Sequence, residues 1–151
     1  MWRWAIMVAV WAAVPAGAQP IRVRAGEHPG FTRVVLPGVA DAGWRIGRVD
    51  GGYGVQIDGN DLNIDVSAAF AMIPRHRLTQ IEPGPEPGSL RLGIGCDCHL
   101  RAFVLARGAL VIDIADGAPT AASAFELPLR GGDAAQGAIV PEPRDPLPPF
   151  W

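Results

Sequence analysis

Cys96-Asp97-Cys98-His99 concentrates the reactive side chains of this sequence: two thiols one residue apart, followed by an imidazole. Four chemistries compete for it. These are the only two cysteines of the chain, so in an oxidising compartment they pair with each other. Geometry resists that pairing, because residues i and i+2 of a fully extended strand stand about 6.6 Å apart, near the upper limit for bridged Cα atoms. A bridge therefore requires a local bend, which Gly95 and Asp97 can supply. Alternatively, two thiolates and the His99 imidazole make a soft ligand set for Cu(I) or Zn(II), with His28 or His76 crossing the fold to complete it. Covalent haem attachment needs Cys-x-x-Cys-His, and one spacer residue is missing here. Lastly, both cysteines can act as small apolar residues that continue a strand into the core. A disulfide or simple packing is the favoured reading, with metal or redox chemistry at Cys96, Cys98 and His99 the alternative.

The elements that must position this segment read as β-strands. Leu90, Leu92 and Ile94 alternate with Arg91, Gly93 and Gly95, the period of a half-buried strand. Ala109 to Ala115 follows the Arg107-Gly108 break as a buried strand interrupted only by Asp113, and the two are expected to be neighbouring core strands. Earlier, Ile21 to Ala25 predicts a first strand with Arg22 and Arg24 on one face. Gly26 to Gly30 predicts a turn and Phe31 to Leu36 a second strand, closed by Pro37-Gly38. Trp44 and Ile46 share a face, with the parity breaking near Arg48. Tyr53, Val55 and Ile57 lead through Gly59-Asn60, read as a tight hairpin turn, to Leu62, Ile64 and Val66. Ser67 to Ile73 suggests a short helical turn stopped by Pro74. Leu78 to Glu82 is a further strand, and Pro83 to Gly88 a rigid exposed loop. Strands at this spacing, without a long helical pattern, predict an all-β fold: an antiparallel sandwich or small open barrel.

Composition sets the outer bounds. Of 151 residues, Met1 to Ala18 read as a cleaved secretory signal peptide: Arg3, an apolar segment from Trp4 to Val14, and Ala16-Gly17-Ala18 as the cleavage site. The apolar run is too short to span a bilayer, so the mature chain is expected to be periplasmic or secreted, with no transmembrane segment. Residues 19–117 form the expected sandwich domain, and 118–151 an Ala/Gly/Pro-rich linker or disordered tail ending in PEPRDPLPPFW. Such an ending fits an N-terminal piece of a longer protein, or a scaffold that engages partners through its tail. Removing Arg3 leaves 12 of 13 basic residues against 15 acids, a net charge near −3, which gives nucleic-acid binding no support.

Other candidate sites reduce to simpler readings. Asp50-Gly51-Gly52-Tyr53-Gly54 and Asp58-Gly59-Asn60-Asp61 resemble calcium-binding repeats only superficially; Gln56 and Leu62 stand where oxygen ligands belong, so hairpin turns are expected. Trp44 and Tyr53 could stack on a sugar, but core packing is the default for aromatics in a small sandwich. No G-x-S-x-G elbow, H-E-x-x-H pair or phosphate-binding glycine loop occurs, no cofactor is implied, and no enzyme activity is expected.

Two segments, Ile21 to Leu36 (IRVRAGEHPGFTRVVL) and Ala109 to Gly117 (ALVIDIADG), resemble the opening and closing strands of the AMIN domain, a β-sandwich module of periplasmic cell-wall amidases and of secretion and pilus proteins. Thr32 to Leu36 and Leu110 to Ile114 carry the motif-like content. The middle of the chain, including Cys96 to His99, departs from that pattern, which marks a divergent relative. The resemblance implies a noncatalytic module that binds peptidoglycan or an envelope protein. For such a module, Arg22, Arg24, Arg33, Arg75 and Arg77 are the expected contact residues, since guanidinium forks grip carboxylates through paired hydrogen bonds.

Overall fold

Alternation along each strand sorts side chains between an interior and an exterior, and a computed structural model describing residues 19–39 and 41–129 shows where each half goes. Ten strands follow in order: β1 (Ile21–Arg22), β2 (Arg24–His28), β3 (Phe31–Leu36), β4 (Trp44–Val49), β5 (Gly52–Ile57), β6 (Ile64–Asp65), β7 (Leu78–Pro83), β8 (Ser89–Ile94), β9 (Cys98–Val104) and β10 (Leu110–Asp116), then a single 3-10 turn at Ala124–Glu126. Two four-stranded antiparallel sheets result, sheet I ordered β2-β3-β10-β9 and sheet II ordered β4-β5-β8-β7. β1 and β6 form a small parallel pair. The architecture is an antiparallel β-sandwich and not a closed barrel.

The core lies between the sheets. Val34, Leu36, Leu100, Ala102, Leu110, Ile112 and Ile114 of sheet I pack with Ile46, Tyr53, Val55, Ile57, Leu78, Leu90 and Leu92 of sheet II, all essentially removed from water. Each large side chain so buried contributes roughly 1.5–3 kcal/mol. The parities read from sequence for Tyr53–Ile57 and Leu90–Ile94 appear in this arrangement, and the strands expected at Phe31–Leu36 and Leu78–Glu82 form. The two stretches carrying the family resemblance lie side by side, with Ile112 opposite Val34.

Several expectations are corrected. Leu90–Ile94 and Leu110–Ile114 are not neighbours; β8 belongs to sheet II and β10 to sheet I, because the unpredicted strand β9 intervenes and pairs with β10. Gly59-Asn60 makes no hairpin: β5 pairs with β4 and β8, while β6 crosses to run parallel to β1. The hairpin turn expected at Asp50-Gly51 does form, and there Gly51 takes a positive φ of 76° that suits glycine. The first strand breaks at Val23, whose side chain is buried, and resumes as β2 through His28, so the turn narrows to Pro29-Gly30. The break in apolar parity near Arg48 does not end the strand; β4 continues to Val49. Ser67–Ile73 forms successive turns, with Ala69 N–H donating to Val66 and Ala71 N–H to Ala68, but no helix.

The segment after Gly117 is part of the packed structure as far as Leu129. Phe125 is buried in the core cluster and stacks on Trp44, their centroids 6.4 Å apart. Arg48 N–H donates to Leu127 O at 2.8 Å and Leu129 N–H to Arg48 O at 3.1 Å, which lays residues 127–129 along β4. The proposed signal peptide, 1–18, and the rest of the proposed tail, 130–151, lie outside the described residues. Among the described residues, no helix is long and apolar enough to cross a membrane.

Candidate functional site

Cys96 and Cys98 form a disulfide with Cα atoms 5.3 Å apart, closer than an extended i, i+2 spacing. The bend that brings them together is the crossing from sheet II to sheet I: β8 ends at Ile94, β9 begins at Cys98, and Gly95 N–H donates to Arg77 O at 3.0 Å. Cys98 stands opposite Asp116 in the β9–β10 ladder, and its sulfur lies 3.8 Å from Asp116 Oδ1. Cys96, Cys98 and Asp116 are therefore the donor atoms this corner gathers, within 4.8 Å of one another. His99, the imidazole suggested by sequence, is directed elsewhere, since its side chain alternates to the opposite face of β9 and Nδ1–H donates to Gly117 O at 2.7 Å.

The five arginines expected as contact residues do not act as a set. Arg33 is buried, its guanidinium donating to both Asp113 carboxylate oxygens at 2.7 and 2.8 Å, with its Cζ 5.1 Å from the Phe31 ring centroid and 5.5 Å from that of Phe103. Such a residue is too deeply buried to meet a ligand at the surface. Arg77 donates through Nε and Nη2 to Asp116 at 2.6 and 2.7 Å and through Nη1 to Glu27. Glu27 is also bonded by Thr32 Oγ1 at 2.6 Å and approached by His76 Nε2 at 3.4 Å. The Asp116 hydrogen bonds hold the Arg77 guanidinium above its ordinary pKa, and Arg77 in turn holds the Asp116 carboxyl below its own. Arg75 lies over the Phe70 ring at 3.6 Å and donates to Thr79 O. Arg22 pairs with Asp65 at 3.4 Å in an exposed contact, and Arg24 is exposed on β2.

A second polar cluster joins the 3-10 turn to the core. Buried Tyr53 donates to Glu126 Oε1 at 2.6 Å, and Arg48 Nε donates to Glu126 Oε2 at 2.7 Å while its Cζ lies 4.3 Å from the Tyr53 ring centroid. Burial first, then the Glu126 hydrogen bond, pushes the Tyr53 hydroxyl well above its ordinary pKa. Burial also raises Glu126, but the Tyr53 and Arg48 hydrogen bonds outweigh it and hold the carboxyl below its usual value.

The concave feature of the described surface lies on the outer face of sheet II, a groove of about 770 Å³. Outward positions cross the sheet in register: Arg45, Gln56 and Ser89 form one row, and Gly47, Gly54, Arg91 and Glu82 the next. Gly54 keeps the floor low, residues Pro83–Pro87 form a rim, and Leu129 closes one side. Arg45 Nε is buried there without a hydrogen-bond partner, while its Nη2 stands 3.7 Å from Asp58. A buried unpaired donor is costly and calls for an acceptor. Gln56 is anchored by donation from Nε2 to Pro87 O at 2.9 Å, and Arg91 by donation to Asp50 O at 2.6 Å. Sequence reasoning missed this face. The usable signal was the placing of Arg45, Gln56 and Arg91 at outward strand positions, obscured because nothing in one dimension says which strands adjoin.

Fold and surface together define an all-β sandwich with a groove on one outer face. No protein-family model matches the chain, and no curated protein matches it.

Proposed function

We propose that the protein is an exported, noncatalytic module that binds peptidoglycan or another partner in the cell envelope through the outer face of sheet II. The observation that carries this reading is the groove, lined by Arg45, Gln56 and Arg91 from adjacent rows above a glycine floor. Pockets with a few converging polar groups are the usual form of ligand sites. The proposed signal peptide and the likeness to envelope modules supply the compartment. Arg33 and Arg77, engaged within the fold, act as structural residues in this reading. Co-sedimentation of the mature chain with purified peptidoglycan sacculi at low salt tests it: the protein is expected in the pellet, and its complete retention in the supernatant would remove peptidoglycan as the ligand.

A second reading is favoured by the gathering of Cys96, Cys98 and Asp116. Reduction of the disulfide would create two thiols beside a carboxylate, a ligand set for Zn(II) or Cu(I). Titration of the reduced protein with Zn(II) is then expected to reach one equivalent in the wild type and none in Cys98→Ser. Equal uptake by both would sink this alternative.

A further inference from the structure

We infer that the groove on sheet II recognises the peptide stems of peptidoglycan and not its glycan strands, an inference that rests on the envelope-binding reading above. The molecule itself displays how this face receives an extended chain. Residues 127–129 lie along β4, exchanging backbone hydrogen bonds with both sides of Arg48, and pass over Gly47. The Leu129 side chain then rests on Gly54, with Cδ2 2.8 Å from where a Cβ would stand. The groove continues from Leu129 across Gly54 toward Arg91, where β5 is paired on both sides, so an extended peptide entering it is met by side chains of the sheet face.

The side chains fit the same ligand class. Arg45 lines the groove with a guanidinium that stands 3.7 Å from Asp58, and Arg91 brings a second guanidinium anchored by a single bond to Asp50 O. Both suit carboxylates, which peptide stems carry and unmodified glycan hydroxyls do not replace. Gln56, its amide fixed by Pro87 and Ile57, keeps its carbonyl oxygen to accept from a peptide N–H. Glu82, opposite Arg91 in the ladder and bonded by Gln80, offers a further acceptor for an amine. No aromatic ring is among the described lining residues, so the groove offers no platform for stacking sugar rings.

The experiment compares the mature chain on three probes: intact sacculi, glycan strands stripped of their stems by an amidase with the lactyl carboxylates so exposed then blocked by amidation, and the soluble stem tetrapeptide as competitor. Binding to intact sacculi, loss on stripped glycan and displacement by the tetrapeptide are expected. The Arg91→Gln and Arg45→Gln variants should each bind sacculi at least about tenfold more weakly, the loss of one charged hydrogen bond. Arg107→Ala, exposed outside the groove, should bind as the wild type does. Equal binding to stripped glycan, or unchanged binding by both groove variants with wild-type thermal melts, overturns the peptide assignment while leaving peptidoglycan binding intact. Absence of binding to every probe overturns both.

Discussion

Arg33 and Asp113 stand directly opposite each other on β3 and β10, and their side chains form a two-bond ion pair that is almost wholly removed from water. This pair sits on the side of sheet I away from the core, where Arg101 approaches Asp113 at 3.7 Å and the Phe31 and Phe103 rings flank the guanidinium. Removing two charges from water is expensive, and only near-ideal geometry with complementary hydrogen bonds offsets it. The planar guanidinium meets the carboxylate fork to fork, which supplies that geometry.

The consequence is an asymmetry between single and double substitutions. Asp113→Ala strands the Arg33 charge and is expected to cost about 3–5 kcal/mol, whereas Arg33→Met with Asp113→Leu should be near neutral. Urea unfolding of the three proteins checks this. A double variant as unstable as the single one would mean that the pair itself, and not the uncompensated charge, carries the stability.

The Cys96–Cys98 disulfide closes a loop of only a few residues, so it removes little freedom from the unfolded chain, roughly 1.5 kcal/mol by loop entropy. Reduction should add two hydrogens in mass and lower stability by no more than about that amount. Cys96→Ser with Cys98→Ser should behave as the reduced protein does. A loss well beyond it would show that the bridge pins the crossing between the two sheets.

How much of this was legible in the sequence follows from which interactions are local. Strand parity is local: Val34 and Leu36, or Leu90 and Leu92, declare their inward face by spacing alone, and the sandwich class followed. Strand order is not local. Asp113 interrupts an apolar run in one dimension, and nothing there says that Arg33, 80 residues away, completes it. For the same reason Arg33 and Arg77 read as exposed contact residues, since their carboxylate partners arrive from other strands. The groove rows, built from β4, β5, β8 and β7, need the sheet order before they exist at all.

Stability should fall at both ends of the pH scale, through Glu126 and Tyr53. Glu126 titrates below its ordinary value of 4.5 in the fold, so its contribution is complete above that pH and is lost as acid carries the pH down through its folded value. Tyr53 is raised above its ordinary value of 10.0, so its contribution is complete below pH 10.0 and is lost as the pH rises beyond it toward the folded value. Unfolding free energies measured across pH should show a shallower acid limb in Glu126→Gln and a shallower alkaline limb in Tyr53→Phe. Superimposable slopes for variant and wild type would refute the assignment.

Phe125 makes a test of where the folded unit ends. Its ring is buried against Trp44, so Phe125→Ala is expected to cost about 3–5 kcal/mol. A chain of residues 19–117 should be destabilised at least as much, because it also loses the Glu126 partner of Tyr53 and Arg48. One of residues 19–129 keeps all of these contacts and should melt well above it. Equal melting of the two truncated chains would return the segment after Gly117 to the role of a linker.

Gly47 separates the steric from the conformational use of glycine. Its Cβ would stand 2.6 Å from Leu129 N and 2.8 Å from both Leu127 O and Leu129 Cα, all of them backbone that cannot rotate away. Gly47→Ala should therefore expel residues 127–129 from the edge of β4 at a cost of about 1–3 kcal/mol. The effect should be visible as faster hydrogen exchange at the Arg48 and Leu129 amides, which bond across that edge. Gly51 is the control: a Cβ there meets nothing within 4 Å, but φ is 76°, so Gly51→Ala costs about 1–2 kcal/mol through the backbone alone. It should leave exchange at Arg48 and Leu129 no faster than the global loss of stability explains. If Gly47→Ala also shows only that global acceleration, the close approach of 127–129 is not what selects glycine at position 47, and the groove proposed for extended ligands loses its precedent within the molecule.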